Sequence, residues 1–230
     1  MLRFYILFDN YTYDCNLDSF WGFSCYIETK TKNILFDTGS NGRILLQNAR
    51  KMGINFKNID ILFLSHNHWD HIGGIDSVLE ENPNLTLIVP NTLSKHFIKD
   101  LRKLSNDLIV IDKYSKISDN IYSTGMFKSK IPEQALILDI EDKLYIITGC
   151  AHMGIPNLLQ NIPIKKPIEY LLGGFHMINN NSFEIKNIIE NINTKYITAT
   201  HCSGKTAIGM LKIKYKERFI AGGVGAKIIF

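Results

Sequence analysis

Ser65-His66-Asn67-His68-Trp69-Asp70-His71 is the stretch of this sequence that decides both the fold and the chemistry. It follows the apolar residues 59–64, which read as a buried strand, and it leads into a pair of glycines. Three of the seven histidines in the 230-residue chain fall within six positions here. Imidazole and carboxylate are ligands that zinc and similar divalent ions prefer. The stretch therefore predicts a metal site at the end of a strand, in preference to a polar loop that happens to be rich in histidine.

The spacing within the stretch separates the candidate ligands into two pairs. His66 and His68 are two residues apart, so in extended chain both side chains leave on one side, toward a single ion. Asp70 and His71, one step further round the turn, are placed to face a second ion. We therefore expect one or two divalent ions per chain, with zinc favoured and iron, manganese or magnesium as alternatives.

The bulk composition is that of an ordinary globular protein, with 45% hydrophobic and 21% charged residues. The length fits one large domain, so we predict a single domain over residues 1–230. The formal net charge of +4 slightly favours a small anionic substrate and gives little reason to expect a nucleic-acid partner. No apolar run reaches the length of a membrane span, and the four cysteines form no CxxC pair. We expect a cytoplasmic protein without a membrane partner, and its oligomeric state stays open.

The order of predicted elements favours an α/β fold made of two similar halves with mixed sheets. In the first half, strands near residues 21–28 and 34–36 lead to Asp37-Thr38-Gly39 and a helix. In the second half, strands at 135–140 and 144–147 lead to Thr148-Gly149 and a helix. Strands then alternate with helices, while the hairpin that opens each half argues against purely parallel sheets.

Three further predictions concern less regular segments. Residues 113–132 are polar and weakly patterned, which indicates a linker or an active-site flap. Asn91 is predicted to be the N-cap of a helix that ends near residue 104. Residues 219–221 are predicted to form a short strand.

Six of the seven histidines lie at or just after the end of a predicted strand: His66, His68, His71, His152, His176 and His201. Strand ends share one rim of an α/β sheet, where ligands collect, so a convergent site is the economical explanation. Taken singly, each of the last three histidines is equally compatible with a turn or a helix start. Taken together with the cluster, they are predicted metal ligands. His96, in the middle of a predicted helix, is expected at the surface or the edge of the core.

The order His66-x-His68-x-Asp70-His71, preceded by Asp37-Thr38-Gly39 and followed by His152 and His201, resembles the metallo-beta-lactamase superfamily over essentially the whole chain. The resemblance implies a four-layer αββα sandwich with a metal site along one edge. It also implies two sets of ligands: a first metal would be held by His66, His68 and His152, and a second by Asp70, His71 and His201. Many members place a bridging aspartate where this chain has His176, which leaves two-metal occupancy open.

Other stretches resemble one branch of that superfamily, namely Gly149-Cys150-Ala151-His152, Gly173-Gly174-Phe175-His176, His201-Cys202-Ser203-Gly204 and Glu133-Gln134-Ala135-Leu136. Its members are usually described as stand-alone metal-dependent hydrolases. The branch also includes a synthase of methanopterin biosynthesis. The resemblance therefore implies a hydrolase that uses metal-activated water on a small anionic substrate. The alternative is a transferase that condenses a dihydropterin-methyl diphosphate with an aminobenzene riboside phosphate. A diiron oxidoreductase and a non-catalytic metal-binding protein are weaker alternatives.

Two residues of the motif are predicted to take part in catalysis. Asp70 is a ligand, a proton acceptor or both, and the role of ligand is favoured. His176 is either a ligand or the general acid, because its unperturbed pKa of about 6.5 suits proton transfer. Asp37 is either a turn residue or, by the resemblance, a support for the metal loop.

Four further residues near the motif keep two interpretations each. Trp69 forms a pocket wall or packs inward, and Lys205 meets an acidic substrate group or is a solvated helix residue. Cys150 and Cys202 lie within two residues of predicted ligands. Thiolate is a good zinc ligand, but the expectation is that both cysteines fill space.

Overall fold

A computed structural model describes residues 1–105 and 107–230. The chain divides into two compact units, the first made of residues 1–111 and 222–230 and the second of residues 112–221. Each unit contains a mixed sheet, helices and an apolar core of its own. The α/β fold with two mixed sheets is confirmed, whereas a single domain over residues 1–230 stays a prediction.

The strands, in chain order, are β1 (Arg3–Phe8), β2 (Ser24–Glu28), β3 (Asn33–Phe36), β4 (Ile61–Phe63), β5 (Thr86–Pro90), β6 (Asp107–Ile111), β7 (Ser115–Ser118), β8 (Ile121–Ser123), β9 (Leu136–Ile140), β10 (Lys143–Thr148), β11 (Ile168–Gly174), β12 (Tyr196–Thr200) and β13 (Lys227–Ile229). The helices are α1 (Gly42–Lys51), α2 (Trp69–Ile72), α3 (Ile75–Glu81), α4 (Lys95–Leu104), α5 (Ile155–Gln160), α6 (Ser182–Glu190) and α7 (Lys205–Tyr215). Within the described ranges, no helix combines the length and the apolarity that a membrane span requires.

The two sheets share one plan. In the first unit the strand order is β13-β1-β2-β3-β4-β5-β6, antiparallel as far as β3 and parallel from β3 to β6. In the second unit the order is β12-β11-β10-β9-β8-β7, with β10, β11 and β12 parallel and the other pairs antiparallel. Each sheet thus joins an antiparallel hairpin to a parallel set of strands, which is the pattern predicted for two similar halves.

The core of each unit forms between its parallel strands and its helices. Leu35, Leu62 and Leu87 are register partners on neighbouring strands, so they lie on one face of the first sheet. They belong to a buried cluster that includes Leu45 of α1 and Val78 of α3. The second unit repeats the arrangement with Ile146, Leu171 and Ile197 on the sheet and with residues of α5 and α7 over them. Burial of these apolar faces stabilises each unit.

The interpretation of residues 113–132 as a linker or flap is wrong, because they contain the hairpin of β7 and β8. The strands were missed since β7 is a partly exposed edge strand without alternating apolar residues. Helix α4 has Ser94 as its N-cap, whose side chain accepts a hydrogen bond from the Phe97 N–H, so the choice of Asn91 was wrong. The predicted strand at 219–221 reduces to one isolated bridge between Phe219 and Ile197.

Candidate metal centre

In the first unit, two neighbouring parallel strands bring Asp37 to the histidine loop. Phe36 at the end of β3 lies opposite Phe63 at the end of β4, so the residues that follow reach the same edge of the sheet. The Asp37 N–H donates to the Phe63 carbonyl oxygen at 2.8 Å. Asp37 has a φ of 53°, a left-handed backbone conformation that is uncommon outside glycine.

The Asp37 carboxylate is fully buried and accepts three hydrogen bonds from the histidine loop. Its Oδ1 accepts from the Ser65 N–H at 2.7 Å. Its Oδ2 accepts from Ser65 Oγ and from His71 Nδ1, each at 2.7 Å. Asp37 is therefore no ordinary turn residue, because its carboxylate holds the loop that carries the histidines.

These hydrogen bonds determine which ring nitrogen of His66 and His71 is available to a ligand. Ser65 Oγ lies 2.8 Å from His66 Nδ1. Since the Ser65 hydroxyl donates its single hydrogen to Asp37, its oxygen must accept from the Nδ1–H of His66. The Nδ1–H of His71 donates to the Asp37 carboxylate in the same way. Both rings therefore present the lone pair of Nε2, which is the form that binds a metal.

The remaining predicted residues of the first unit surround these two rings. The ring centroid of His66 lies 4.6 Å from that of His68 and 4.3 Å from that of His71. His71 Nε2 lies 3.8 Å from Asp70 Oδ2. His66, Asp70 and His71 are buried, and His68 is half-buried. Three imidazoles, two of them with Nδ1 already engaged, and one carboxylate fit a borderline divalent ion such as zinc.

The far end of the histidine loop is fastened by Thr38. Its N–H and its hydroxyl both donate to the His71 carbonyl oxygen, at 2.7 and 2.9 Å, and its Oγ1 accepts from the Gly74 N–H at 3.0 Å. A Cβ on Gly74 would lie 2.6 Å from the Thr38 carbonyl oxygen, so only glycine permits this approach. Trp69, the first residue of α2, is 61% exposed, so its side chain does not pack into the core.

In the second unit, three neighbouring parallel strands bring the later histidines to one edge of the sheet. Thr148 lies opposite Gly173, and Gly174 lies opposite Thr200, so β10, β11 and β12 end side by side. The loops that follow these strands carry His152, His176 and His201. The ring centroids of His152 and His176 are 4.3 Å apart.

Glu133, which the sequence linked only to the branch resemblance, holds the loop that carries His152. Its side chain is fully buried. Oε1 accepts from Thr148 Oγ1 and from the N–H groups of residues 149, 150 and 151, at 2.9 to 3.0 Å. Oε2 accepts from the His152 N–H at 2.9 Å. Successive backbone N–H groups thus form a nest around one carboxylate. No local pattern indicates this role, because the partners lie 15 to 19 residues further along the chain.

The backbone is left-handed at three further positions just past the strand ends. The φ angles of Ala151, His176 and His201 are 55°, 48° and 50°. Non-glycine residues held in this region are uncommon and tend to lie at functional sites. Asp37 has the same backbone conformation. In each sheet, therefore, strained backbone occurs just past the carboxyl ends of the strands, where it sets the direction of the side chains.

Two cysteines lie among the histidines of the second unit. Cys202 Sγ accepts from the His176 N–H at 3.3 Å and lies 3.7 Å from the Cys150 carbonyl oxygen. The hydrogen bond between the His176 ring and the Cys202 sulfur raises the pKa of His176, which burial opposes. Burial alone would raise the pKa of the Cys202 thiol, but hydrogen bonds with Cys150 and His176 outweigh it and lower this pKa to about 5. The contact between the His176 ring and the Cys202 sulfur thus contributes to both shifts, which run in opposite directions.

Two other predicted positions lie at the surface. His96 is exposed on α4, as expected. Lys205 is exposed at the start of α7, two residues after Ser203. Its side chain is solvated, and a contact with a substrate stays a prediction.

Comparison with known proteins yields one family and several relatives. The family model described as the metallo-beta-lactamase superfamily matches residues 22–142. A 7,8-dihydropterin-6-methyl-4-(beta-D-ribofuranosyl)-aminobenzene-5'-phosphate synthase from Methanocaldococcus jannaschii is 27% identical, over 95% of this chain and 93% of the relative. A ribonuclease Z from Clostridium novyi is 29% identical over 64% of this chain and 46% of its own length. The crystal structure of a metal-dependent hydrolase of the beta-lactamase superfamily superposes with a TM-score of 0.81 at 24% identity, covering 100% of this chain and 99% of that one.

Proposed function

The chain belongs to the metallo-beta-lactamase superfamily and is an enzyme of that family, and we propose that it is a metal-dependent hydrolase of a small anionic molecule. The observation that carries the proposal is the hydrogen-bond network of Asp37 and Ser65. It fixes the hydrogen of both His66 and His71 on Nδ1, so that Nε2 carries the lone pair, and His71 Nε2 lies 3.8 Å from the Asp70 carboxylate. A protein that only filled its core with histidine would have no need to fix both tautomers.

We propose that one or two divalent ions are bound by His66, His68, Asp70, His71, His152 and His201. The donor set supports zinc over magnesium, because imidazole nitrogen suits zinc whereas magnesium prefers an octahedron of oxygens. Iron and manganese are the alternatives. The buried carboxylates Asp37 and Glu133 are excluded as ligands in this proposal, since their oxygens already accept hydrogen bonds from the two loops.

A bound divalent ion would lower the pKa of water to about 7 and polarise the bond under attack. Asp70 is the proposed proton acceptor. His176 is the proposed general acid, because its hydrogen bond to the Cys202 sulfur raises its pKa, which favours the protonated ring, and its side chain is exposed. A role for His176 as a further ligand is the alternative.

The proposed substrate is a small molecule in the cytoplasm, handled without a nucleic-acid or membrane partner. The mild formal charge of +4 supports an anionic substrate more than it supports nucleic acid. The match to ribonuclease Z leaves more than half of that relative uncovered.

A transferase is the second candidate, and one comparison favours it. The archaeal synthase matches this chain almost from end to end. In such a reaction the metal site would bind a diphosphate leaving group, and His176 would donate to it. Incubation with a hydroxymethyl-dihydropterin diphosphate and an aminobenzene riboside phosphate tests this directly. Release of diphosphate together with a condensed product identifies the transferase, and free hydrolysed alcohol identifies a hydrolase.

Metal analysis of protein purified without added metal tests the main proposal. We expect at least one transition-metal ion per chain, a marked loss in His66→Ala, and no change in His96→Ala, which alters an exposed histidine on α4. Chelation is expected to abolish turnover of chromogenic phosphodiesters, lactones or thioesters. A wild-type protein that binds no transition metal contradicts the proposal. Full metal content with lost turnover in His176→Ala identifies His176 as the acid, and lost metal identifies it as a ligand.

A further inference from the structure

We propose that Cys150 and Cys202 are thiolate ligands, together with His201, of a metal ion held by the second unit. The site would accordingly select a thiophilic ion such as zinc or iron(II) over magnesium or manganese. The inference rests on the proposed function, because it concerns the ligands of the metal centre proposed above. It reverses the expectation that both cysteines merely fill space.

The geometry of three side chains supports this site. One ligand atom from each of Cys150, His201 and Cys202 lies within 4.8 Å of the other two. Around a tetrahedral zinc ion, bonds of about 2.3 Å to sulfur and about 2.0 Å to nitrogen place the ligand atoms roughly 3.5–3.8 Å apart. Small rotations of these side chains are therefore enough to close on an ion. All three residues are buried, at 3%, 0% and 3% exposure, so bulk water would not compete for the sulfurs.

The charge of the available ligands points to the cysteines as well. Anionic ligands stabilise an ion in a buried site, since burial of an uncompensated charge is costly. The histidines of the second unit are neutral ligands, and the loops 149–154, 175–178 and 201–204 contain no aspartate or glutamate. Glu133 lies beside the first loop, but five hydrogen bonds already occupy its oxygens. Among these residues, only the two thiols can supply negative charge.

The Cys202 sulfur has a polar environment. A Cβ on Gly174 would lie 2.5 Å from the Gly149 carbonyl oxygen and 2.6 Å from Cys202 Sγ, so glycine permits the close approach of both the backbone and the sulfur. The His176 N–H donates to the same sulfur at 3.3 Å. Hydrogen bonds of this kind surround metal-bound thiolates and tune them. A cysteine that only fills space needs no N–H donor.

Cobalt(II) substitution tests the inference with a spectroscopic readout that is independent of activity. The metal-free full-length protein, kept reduced and anaerobic, is loaded with cobalt(II) and its near-ultraviolet spectrum is recorded. We expect a sulfur-to-cobalt charge-transfer band that weakens in Cys150→Ser and in Cys202→Ser and is lost in the double variant. Cys15→Ser, at an exposed position in the first unit, and Cys25→Ser, at a buried one, are matched controls that keep the band.

X-ray absorption at the zinc edge of the wild-type protein is the second measurement, and it does not depend on the folding of any variant. We expect a zinc–sulfur shell at about 2.3 Å. Bound metal with only nitrogen and oxygen neighbours, or a charge-transfer band that survives in the double variant, overturns the thiolate assignment and leaves the proposed function intact. A wild-type protein that binds neither cobalt nor zinc overturns the proposed function itself.

Discussion

Replacement of Glu133 by glutamine tests whether one buried carboxylate organises the loop that carries His152. The change keeps the shape of the side chain, removes its charge and places an NH2 group where one oxygen was. If the amide oxygen takes the place of Oε1, four hydrogen bonds remain but lose their ionic partner, and the NH2 group faces the His152 N–H. If the amide is turned round, its NH2 group faces the four donors that Oε1 accepts in the wild type, and these donors lose their acceptor.

The magnitude follows from these contacts. Hydrogen bonds to a charged group contribute about 1.5–3 kcal/mol and neutral ones about 0.5–1.5 kcal/mol, while a buried donor without an acceptor costs about 1–3 kcal/mol. Four hydrogen bonds become weaker and the His152 N–H loses its acceptor. With allowance for relaxation of the loop, the free energy of unfolding should fall by about 3–6 kcal/mol. This is a large part of the roughly 5–15 kcal/mol by which a domain is usually stable.

Denaturant unfolding, monitored by circular dichroism, measures the free energy of unfolding, and competition with a chelator measures metal affinity. Glu169→Gln is the matched control, because Glu169 is also a buried carboxylate of the second unit but pairs with two half-exposed lysines, Lys195 at 2.8 Å and Lys143 at 3.8 Å. Each pair with a solvated lysine should contribute at most about 1 kcal/mol, and their loss should leave metal affinity unchanged. If Glu133→Gln unfolds with the free energy of the wild type and binds metal as tightly, the reasoning about the nest is refuted.

Two further predictions concern the first unit. Asp37→Asn should lower metal affinity by about 10–100-fold, because the amide has one oxygen and must turn its NH2 group toward either the His71 ring or the Ser65 N–H. Chelator competition measures it, and unchanged affinity contradicts the assignment. Burial raises the pKa of Tyr26 to about 12. The unfolded chain, in which tyrosine titrates near 10, loses this proton first, so stability should fall as pH rises from about 10 to 12. Denaturant midpoints across this range should fall less steeply in Tyr26→Phe, and equal slopes would contradict the shift.

The sequence was informative where the structural signal is local. The histidines at strand ends were predicted because a strand of apolar residues and the loop after it can be read within ten positions, and parallel pairing then aligns those ends. The same argument gave the mixed sheets from the hairpin that opens each half. It failed at β7 and β8, whose partly exposed faces carry no alternation of apolar residues.

The hydrogen-bond network that orients the histidines could not be predicted from local sequence patterns. Asp37 and Ser65 are 28 residues apart, and Glu133 and His152 are 19 apart. Single residues at those separations carry no periodic signal, and only the register of the strands decides that they meet. The tautomer of His66 depends on a further step, since it follows from the direction in which the Ser65 hydroxyl donates. Sequence therefore predicts the candidate ligands but not what orients them.

Asp37 and Glu133 perform the same task in the two units by different means. Asp37 follows a strand and binds side chains, so it sets ring tautomers in the histidine loop. Glu133 precedes a hairpin and binds four successive backbone N–H groups, so it sets the course of the main chain. In both loops the buried polar groups that these carboxylates accept are satisfied by the protein itself. Each loop is therefore held by a carboxylate of its own unit that is separate from the predicted ligands, which is how a supporting hydrogen-bond network fixes the direction of metal-binding side chains.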